Sequence, residues 1–232
     1  MNEIEFKKDV LARIAKARKV TAPENSVGQW IGYCLWHGSH AVFGSTVESY
    51  LKSHDLELEL KPGEGDKQVR LPDSDGTLKQ IDHAFFIKGK PVVIAESKWL
   101  KDQRHLNDKG SWLKLMREIV RESDSVEQAV LVLAGPWESY RAQKENRGFK
   151  VIITTVDDVY AALKKYGVVI TIDQTRNAFQ NPGETLTSFL DAIAKMIETD
   201  PNPFATIGKS MLGDRVSQIE QTIKETLEEV TA

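Results

Sequence analysis

Residues 80–100 read QIDHAFFIKGKPVVIAESKWL. The apolar runs HAFFI and PVVIA flank a short Lys-Gly-Lys segment, and this pattern predicts a β-hairpin with a tight turn. Each predicted strand also carries a carboxylate, Asp82 in the first and Glu96 in the second, and Lys98 follows two residues later. Acidic side chains in strands that are otherwise suited to burial need a physical reason.

The length of the turn sets which residues face each other. A three-residue loop centred on Gly89 would place Asp82 directly opposite Glu96, whereas a two-residue loop would shift the partner by one. Side chains alternate along a strand, so Glu96 and Lys98 share a face. The three-residue loop therefore predicts that Asp82, Glu96 and Lys98 converge at one end of the hairpin.

Two facing carboxylates repel each other, and partial burial strengthens the repulsion. A divalent cation between them would remove it. Mg²⁺ prefers a few carboxylate oxygens and keeps several waters, which leaves room for a phosphate. Lys98 could then hydrogen-bond the attacking water or a phosphate oxygen, as metal-assisted phosphodiester hydrolysis requires. The alternative is a solvated strand end with an incidental ion pair.

Ile81-Asp82, followed after thirteen residues by Glu96-Ser97-Lys98, resembles the motif of the PD-(D/E)XK nucleases, a superfamily that includes many type II restriction endonucleases. The resemblance implies a restriction-endonuclease-like core. It also implies that Asp82 and Glu96 bind Mg²⁺, for which Mn²⁺ can substitute, and that Lys98 assists the nucleophilic water.

Many members of this superfamily add a carboxylate from the helix before the β-meander. Glu48 occupies that position here, so the resemblance implies Glu48 as a further metal ligand; an exposed helix residue is the alternative. Pro72-Asp73 matches the superfamily name literally, but it lies in a loop rich in Gly, Ser and Asp, where Asp73 and Asp75 suit turns.

Three histidines are candidates for a structural or a metal-binding role. Strand alternation points His83 away from the face of Asp82, which favours a structural role. His37 and His40 have a helical spacing that could serve a metal, but the sequence shows no further ligand for them.

The segment 99–114, WLKDQRHLNDKGSWLK, follows the proposed catalytic strand and is rich in polar residues. Between a strand and a helix such residues could contact DNA phosphates, and Ser111 could cap the helix that follows. A solvated connector is the alternative. The candidate DNA contacts are Lys101, Arg104, His105, Lys109 and Ser111.

Apolar periodicity gives the order of elements along the chain. It predicts helices over 3–19, 26–53, 112–122, 138–146, 157–167, 187–199 and 215–230, and strands over 56–60, 129–135, 151–156 and 168–172. With the hairpin, this order predicts an α/β fold with a mixed central β-sheet flanked by helices and with N- and C-terminal helical additions. We assign residues 1–172 to a nuclease domain and 173–232 to a helical C-terminal extension.

Composition limits the class of protein. Hydrophobic residues make up 41% and charged residues 28%, which predicts a folded chain. No apolar run approaches the roughly 20 residues of a membrane helix, and the start lacks an apolar signal core. The single cysteine, Cys34, excludes an internal disulfide and a cysteine-based zinc site. We therefore expect a cytoplasmic protein with no membrane partner.

The expected function is that of a type II restriction endonuclease cutting double-stranded DNA. The net charge of −3 counts against DNA binding, although totals average over local patches. We expect a homodimer, because enzymes that cut symmetric sites are commonly two-fold dimers. The apolar stripe of residues 216–230 could serve that contact or pack on its own domain. The alternatives are a structure-selective nuclease of the Holliday-junction resolvase type, and a non-catalytic DNA-binding or assembly module.

Overall fold

The computed structural model describes residues 3–62, 69–73, 75–101, 106–137, 148–173 and 178–232. In chain order its elements are α1 (Glu3–Ala17), α2 (Pro23–Leu51), β1 (Leu58–Pro62), β2 (Val69–Pro72), β3 (Leu78–Ile81), β4 (His83–Ile87), β5 (Lys90–Trp99), α3 (Leu106–Glu122), β6 (Gln128–Ala134), β7 (Phe149–Thr154), α4 (Val156–Lys165), β8 (Ile172–Asp173), β9 (Ala178–Phe179), α5 (Pro182–Met196), α6 (Pro203–Leu212) and α7 (Arg215–Thr231). The predicted helix 138–146 lies outside the described residues.

The centre of the fold is a mixed five-stranded sheet with the strand order β1-β4-β5-β6-β7. The pairs β1–β4 and β4–β5 are antiparallel, whereas β5–β6 and β6–β7 are parallel. A tight turn joins β4 to β5, while α3 lies in the longer crossover from β5 to β6 that parallel strands need. The predicted α/β class with a mixed central sheet is confirmed.

The hairpin turn is shorter than predicted. Lys88 and Gly89 form it alone, with φ of +49° and +77°, as a two-residue type I′ turn requires. A two-residue turn alone would pair each residue one position away from its predicted partner. A β-bulge between Phe85 and Phe86 shifts the pairing back by one position. His83 then faces Ala95, so the next position in this register puts Asp82 opposite Glu96. The predicted register is correct because two departures from the prediction cancel.

The two faces of the sheet bury separate hydrophobic clusters. Ala84 and Ile94 point toward α3, together with Leu131 of β6. Phe85 and Val93 point to the other face, where α2 and the C-terminal helices pack. Ile219, Ile223 and Leu227 of α7 are fully buried there, so the apolar stripe of the last helix packs on its own chain.

Helix α2 is continuous through Gly38 and Gly44, although a glycine inside a helical pattern often marks a break. Gly38 serves a different purpose: a Cβ atom there would lie 2.4 Å from the carbonyl carbon of Gly208. The two glycines therefore let α2 and α6 approach each other closely. Helix α6 was not predicted, because the prolines of DPNPF indicate a break. Pro203 instead opens the helix, and the Asn202 side chain caps it.

The predicted edge strand 168–172 is wrong. Within the described residues, Ile172 pairs only with Phe179 in a separate two-stranded unit. The backbone before it bonds elsewhere, since the Val169 amide donates to Ser188 Oγ of α5 over 3.0 Å.

The predicted helix cap at Ser111 is wrong as well, because Ser111 lies inside α3, which begins at Leu106. Thr155 caps α4, in a capping box with Asp158.

Candidate active site

Asp82 and Glu96 are joined by a crossed pair of hydrogen bonds. The Asp82 amide, at the bend between β3 and β4, donates to Glu96 Oε1 over 2.9 Å. The Ser97 amide on β5 donates to Asp82 Oδ2 over 3.0 Å. Each carboxylate is thus held by the backbone beside the other, and the predicted convergence of the two side chains is present.

Lys98 completes the cluster. Its Nζ lies 3.1 Å from Asp82 Oδ2 and 2.5 Å from Glu96 Oε2. The Glu96 side chain is fully buried, whereas those of Asp82 and Lys98 are 21% and 20% exposed. The cluster therefore has a closed inner end at Glu96 and an outer end open to solvent.

Burial and mutual attraction set the protonation of this cluster. Burial raises the pKa of Glu96 to about 8, against the opposing pull of Lys98. Burial also works to raise the pKa of Asp82, but Lys98 and the Ser97 amide outweigh it, and the net pKa is lowered. The pKa of Lys98 is raised, because its two carboxylate neighbours outweigh its burial. Asp82 is the stronger acid of the pair.

The donor set suits a hard cation. Asp82 lies toward the open end of the cluster on a side chain that is 21% exposed, whereas Glu96 lies at the closed end. Two carboxylates, one of them within reach of solvent, fit Mg²⁺, which keeps most of its waters. No group of three or more His, Cys, Asp and Glu side chains placed to hold a metal occurs in the part of the chain that the structure describes.

Trp112 of α3 covers the lysine. The Lys98 Nζ lies 5.5 Å from the centroid of the Trp112 ring, a cation–π distance. The indole Nε1 is buried and has no hydrogen-bond partner among the described residues. The contact could not be predicted from the sequence, because the pattern of the segment 99–114 does not show how its helix crosses β5.

Glu48 is an exposed residue of α2. This helix packs on the sheet face opposite to α3, with Gly28 and Gly32 near Trp99 and with His40 beside His83. Glu48 therefore lies two helical turns beyond His40, toward the hairpin turn. Its role as a metal ligand remains a prediction.

The other candidate DNA contacts fall in or near the connection between β5 and α3. Lys101 lies with its Nζ 5.2 Å from the ring centroid of Phe179. Lys109 and Ser111 lie in α3. Arg104 and His105 lie outside the described residues. All five remain predictions.

The histidines form a stack behind the site. His83 is fully buried on the α2 face, as alternation predicted, with ring centroids 5.0 Å from Trp36 and 5.2 Å from His40. Burial lowers the pKa of His83 to about 3 and that of His37 to about 4, so both stay neutral. The parallel rings of His83 and His40 serve packing.

Asp73 forms a turn, as expected. Its Oδ1 accepts hydrogen bonds from the amides of Asp75 and Thr77, and Lys79 lies 3.3 Å from its Oδ2. The literal Pro-Asp sequence therefore has a structural use outside the cluster.

Comparison of the chain with protein-family models, with curated protein sequences and with solved structures finds no match. The helices in the described ranges include none that is both long and apolar enough to span a bilayer.

Proposed function

We propose that this protein is a divalent-metal-dependent endonuclease that hydrolyses phosphodiester bonds of double-stranded DNA. The observation that supports the proposal best is the meeting of Asp82, Glu96 and Lys98 on one face of adjacent strands, with contacts of 2.5–3.1 Å. The arrangement agrees with the resemblance to the PD-(D/E)XK nucleases. We extend the proposal to the restriction-endonuclease-like fold and to a type II restriction activity.

In this proposal Asp82 and Glu96 hold Mg²⁺ or Mn²⁺. The bound cation would polarise the scissile phosphate and lower the pKa of a coordinated water. The amides of Asp82 and Ser97 fix the two carboxylates before any cation arrives, so little reorganisation is needed. The Lys98 ammonium would donate a hydrogen bond to the attacking water or to a phosphate oxygen, which orients the nucleophile and offsets developing negative charge.

Cleavage of plasmid DNA in the presence of Mg²⁺ tests the proposal. Wild type should cut, while Asp82→Asn, Glu96→Gln and Lys98→Met should lose activity. The matched controls are Glu59→Gln and Lys61→Met, because these residues form a 3.2 Å ion pair on the edge strand β1. Folded wild-type protein that leaves DNA intact with both Mg²⁺ and Mn²⁺ would rule out the nuclease.

The products decide between kinds of nuclease. A restriction enzyme gives discrete fragments whose mapped ends share one sequence. Cutting confined to branched DNA would instead favour a structure-selective nuclease of the junction-resolvase type.

The proposed homodimer is tested by mass in solution with and without DNA. Such a dimer needs a surface other than the apolar stripe of α7, since that stripe is buried within the chain.

A second candidate function is a non-catalytic DNA-binding or assembly module. One observation favours it: Lys98 already neutralises part of the charge of the two carboxylates, so their closeness does not by itself demand a metal ion. DNA binding retained without hydrolysis, together with no effect of Mg²⁺ on the thermal stability of the protein, would support this candidate.

A further inference from the structure

The ammonium group of Lys98 takes the position between the carboxylates that a cation would use. Its Nζ lies 3.1 Å from Asp82 Oδ2 and 2.5 Å from Glu96 Oε2. Glu96 Oε1 accepts a hydrogen bond from the Asp82 amide, so both oxygens of the buried Glu96 are already engaged, Oε1 by that amide and Oε2 by Lys98. A cation bound by both carboxylates therefore has to share the Glu96 carboxylate with Lys98.

Charge makes that sharing unfavourable. With both carboxyl groups ionised, as cation binding requires, the two carboxylates and one ammonium carry one net negative charge, whereas a divalent cation added to the same cluster gives one net positive charge. The cation and the ammonium would also repel each other at close range in a partly buried site. Only one of the two positive groups, the divalent cation or the Lys98 ammonium, can contact both carboxylates, and the other has to move outward.

The Lys98 ammonium can move from the carboxylates toward solvent. Its side chain is 20% exposed, unlike the fully buried Glu96. The face of Trp112 lies 5.5 Å from its Nζ and can keep a cation near the site after it leaves the carboxylates. A displaced ammonium would then point toward the open end of the cluster.

We propose that Lys98 is an internal competitor for the divalent cation, and that cation entry displaces its ammonium from Glu96 toward the side from which a phosphate approaches. This inference rests on the proposed function and adds an order of events. In the metal-free protein the lysine closes the metal site, and metal binding releases it for the substrate.

Binding of Mn²⁺ without DNA, measured by titration calorimetry, tests the competition. Lys98→Met removes the competing charge at similar length and should bind Mn²⁺ at least about tenfold more tightly than wild type. Lys98→Arg keeps the charge and should bind no more tightly than wild type. Lys61→Met is the control for loss of a lysine elsewhere and should match wild type.

Lysine labelling provides a readout that needs no variant. Acetylation of Lys98, followed by mass spectrometry, should be several-fold faster with Mg²⁺ than without, because the ammonium leaves its buried ion pair. Lys61 should be labelled at the same rate in both conditions. If Lys98→Met does not fold, the labelling rate of Lys98 in wild type still tests the competition.

The outcomes separate the two proposals. Wild type that binds Mn²⁺, with Lys98→Met binding equally or more weakly, overturns the competition and leaves the metal-dependent function standing. Unchanged labelling of Lys98 at saturating Mg²⁺ does the same. Folded wild type and folded Lys98→Met that both fail to bind Mn²⁺ overturn the competition and the metal-dependent function together.

Discussion

The amide of Asp82 donates to Glu96 Oε1 over 2.9 Å, and the amide of Ser97 returns a hydrogen bond to Asp82 Oδ2 over 3.0 Å. The main chain therefore places both carboxyl groups, and a side chain that keeps an acceptor oxygen keeps the arrangement. A substitution that removes the charge but keeps an acceptor oxygen should therefore change the chemistry of the site without unfolding the protein.

Asp82→Asn should accordingly lose catalysis and keep the fold. The amide oxygen can still accept the Ser97 hydrogen bond, but the negative charge needed by a divalent cation is gone. We expect DNA cleavage to fall at least about a hundredfold, because a metal ligand is lost. The free energy of unfolding should change by less than about 1.5 kcal/mol.

Initial cleavage rates and urea denaturation check this expectation. Asp73→Asn is the comparison for the literal Pro-Asp sequence and should cleave at the wild-type rate. Full activity of Asp82→Asn would remove this residue from the proposed site.

Glu96 should make stability depend on pH. Burial raises its pKa from the ordinary 4.5 to about 8, so between these values the folded chain holds a proton that the unfolded chain releases. The free energy of unfolding contributed by Glu96 must then fall as the pH rises through that window. Glu96→Gln cannot ionise and should lack this contribution.

Urea midpoints at pH 5.5 and pH 8.5 measure the difference. The advantage of wild type over Glu96→Gln should shrink toward the higher pH. His37 and His83 titrate equally in both proteins, so their effects cancel in the comparison. An advantage that stays constant between these two pH values would show that Glu96 is ionised in the folded protein throughout the range. For the same reason Mn²⁺ affinity should rise toward pH 8, since binding requires the ionised carboxylate.

Trp112 should affect turnover through Lys98. Trp112→Phe keeps an aromatic face 5.5 Å from the ammonium, whereas Trp112→Leu removes it. Loss of a partly exposed cation–π contact should lower kcat roughly two- to tenfold in the leucine variant, with KM for DNA nearly unchanged. Steady-state cleavage of both variants checks this, and equal rates for the two would remove the ring face from the mechanism.

The hairpin shows what a sequence pattern can establish about this site. Alternating burial and the short turn suffice to predict that Asp82, Glu96 and Lys98 converge. The bulge that restores the register cannot be seen in the sequence, because the residues on either side of the turn, 85–87 and 91–93, are all apolar and allow several pairings. Contacts that depend on how helices cross the sheet, such as that of Trp112 with Lys98, have no counterpart in local spacing.

The turn itself should respond to substitution. Lys88 adopts φ of +49°, a left-handed conformation that costs a side chain roughly 1 kcal/mol. Lys88→Asn creates the Asn-Gly pair that type I′ turns favour and should raise the free energy of unfolding by about 0.5–1 kcal/mol. Gly89→Ala should lower it by about 1–2 kcal/mol through strain alone, because a Cβ there meets nothing within 4 Å. Denaturation of the two variants in parallel checks both signs.

The last test concerns the close crossing of α2 and α6. The two glycines at this crossing, Gly38 and Gly208, are far apart in sequence, so local periodicity cannot detect their contact or the helix α6 that depends on it. A Cβ on Gly208 would lie 1.9 Å from the carbonyl oxygen of Cys34, so Gly208→Ala must separate the helices. We expect it to cost about 2–3 kcal/mol or more in the free energy of unfolding. Gly44→Ala, also in α2, meets nothing within 4 Å and should instead gain about 0.5–1 kcal/mol from helix propensity. Equal effects of the two alanines on the urea midpoint would mean that α2 and α6 do not pack through Gly208.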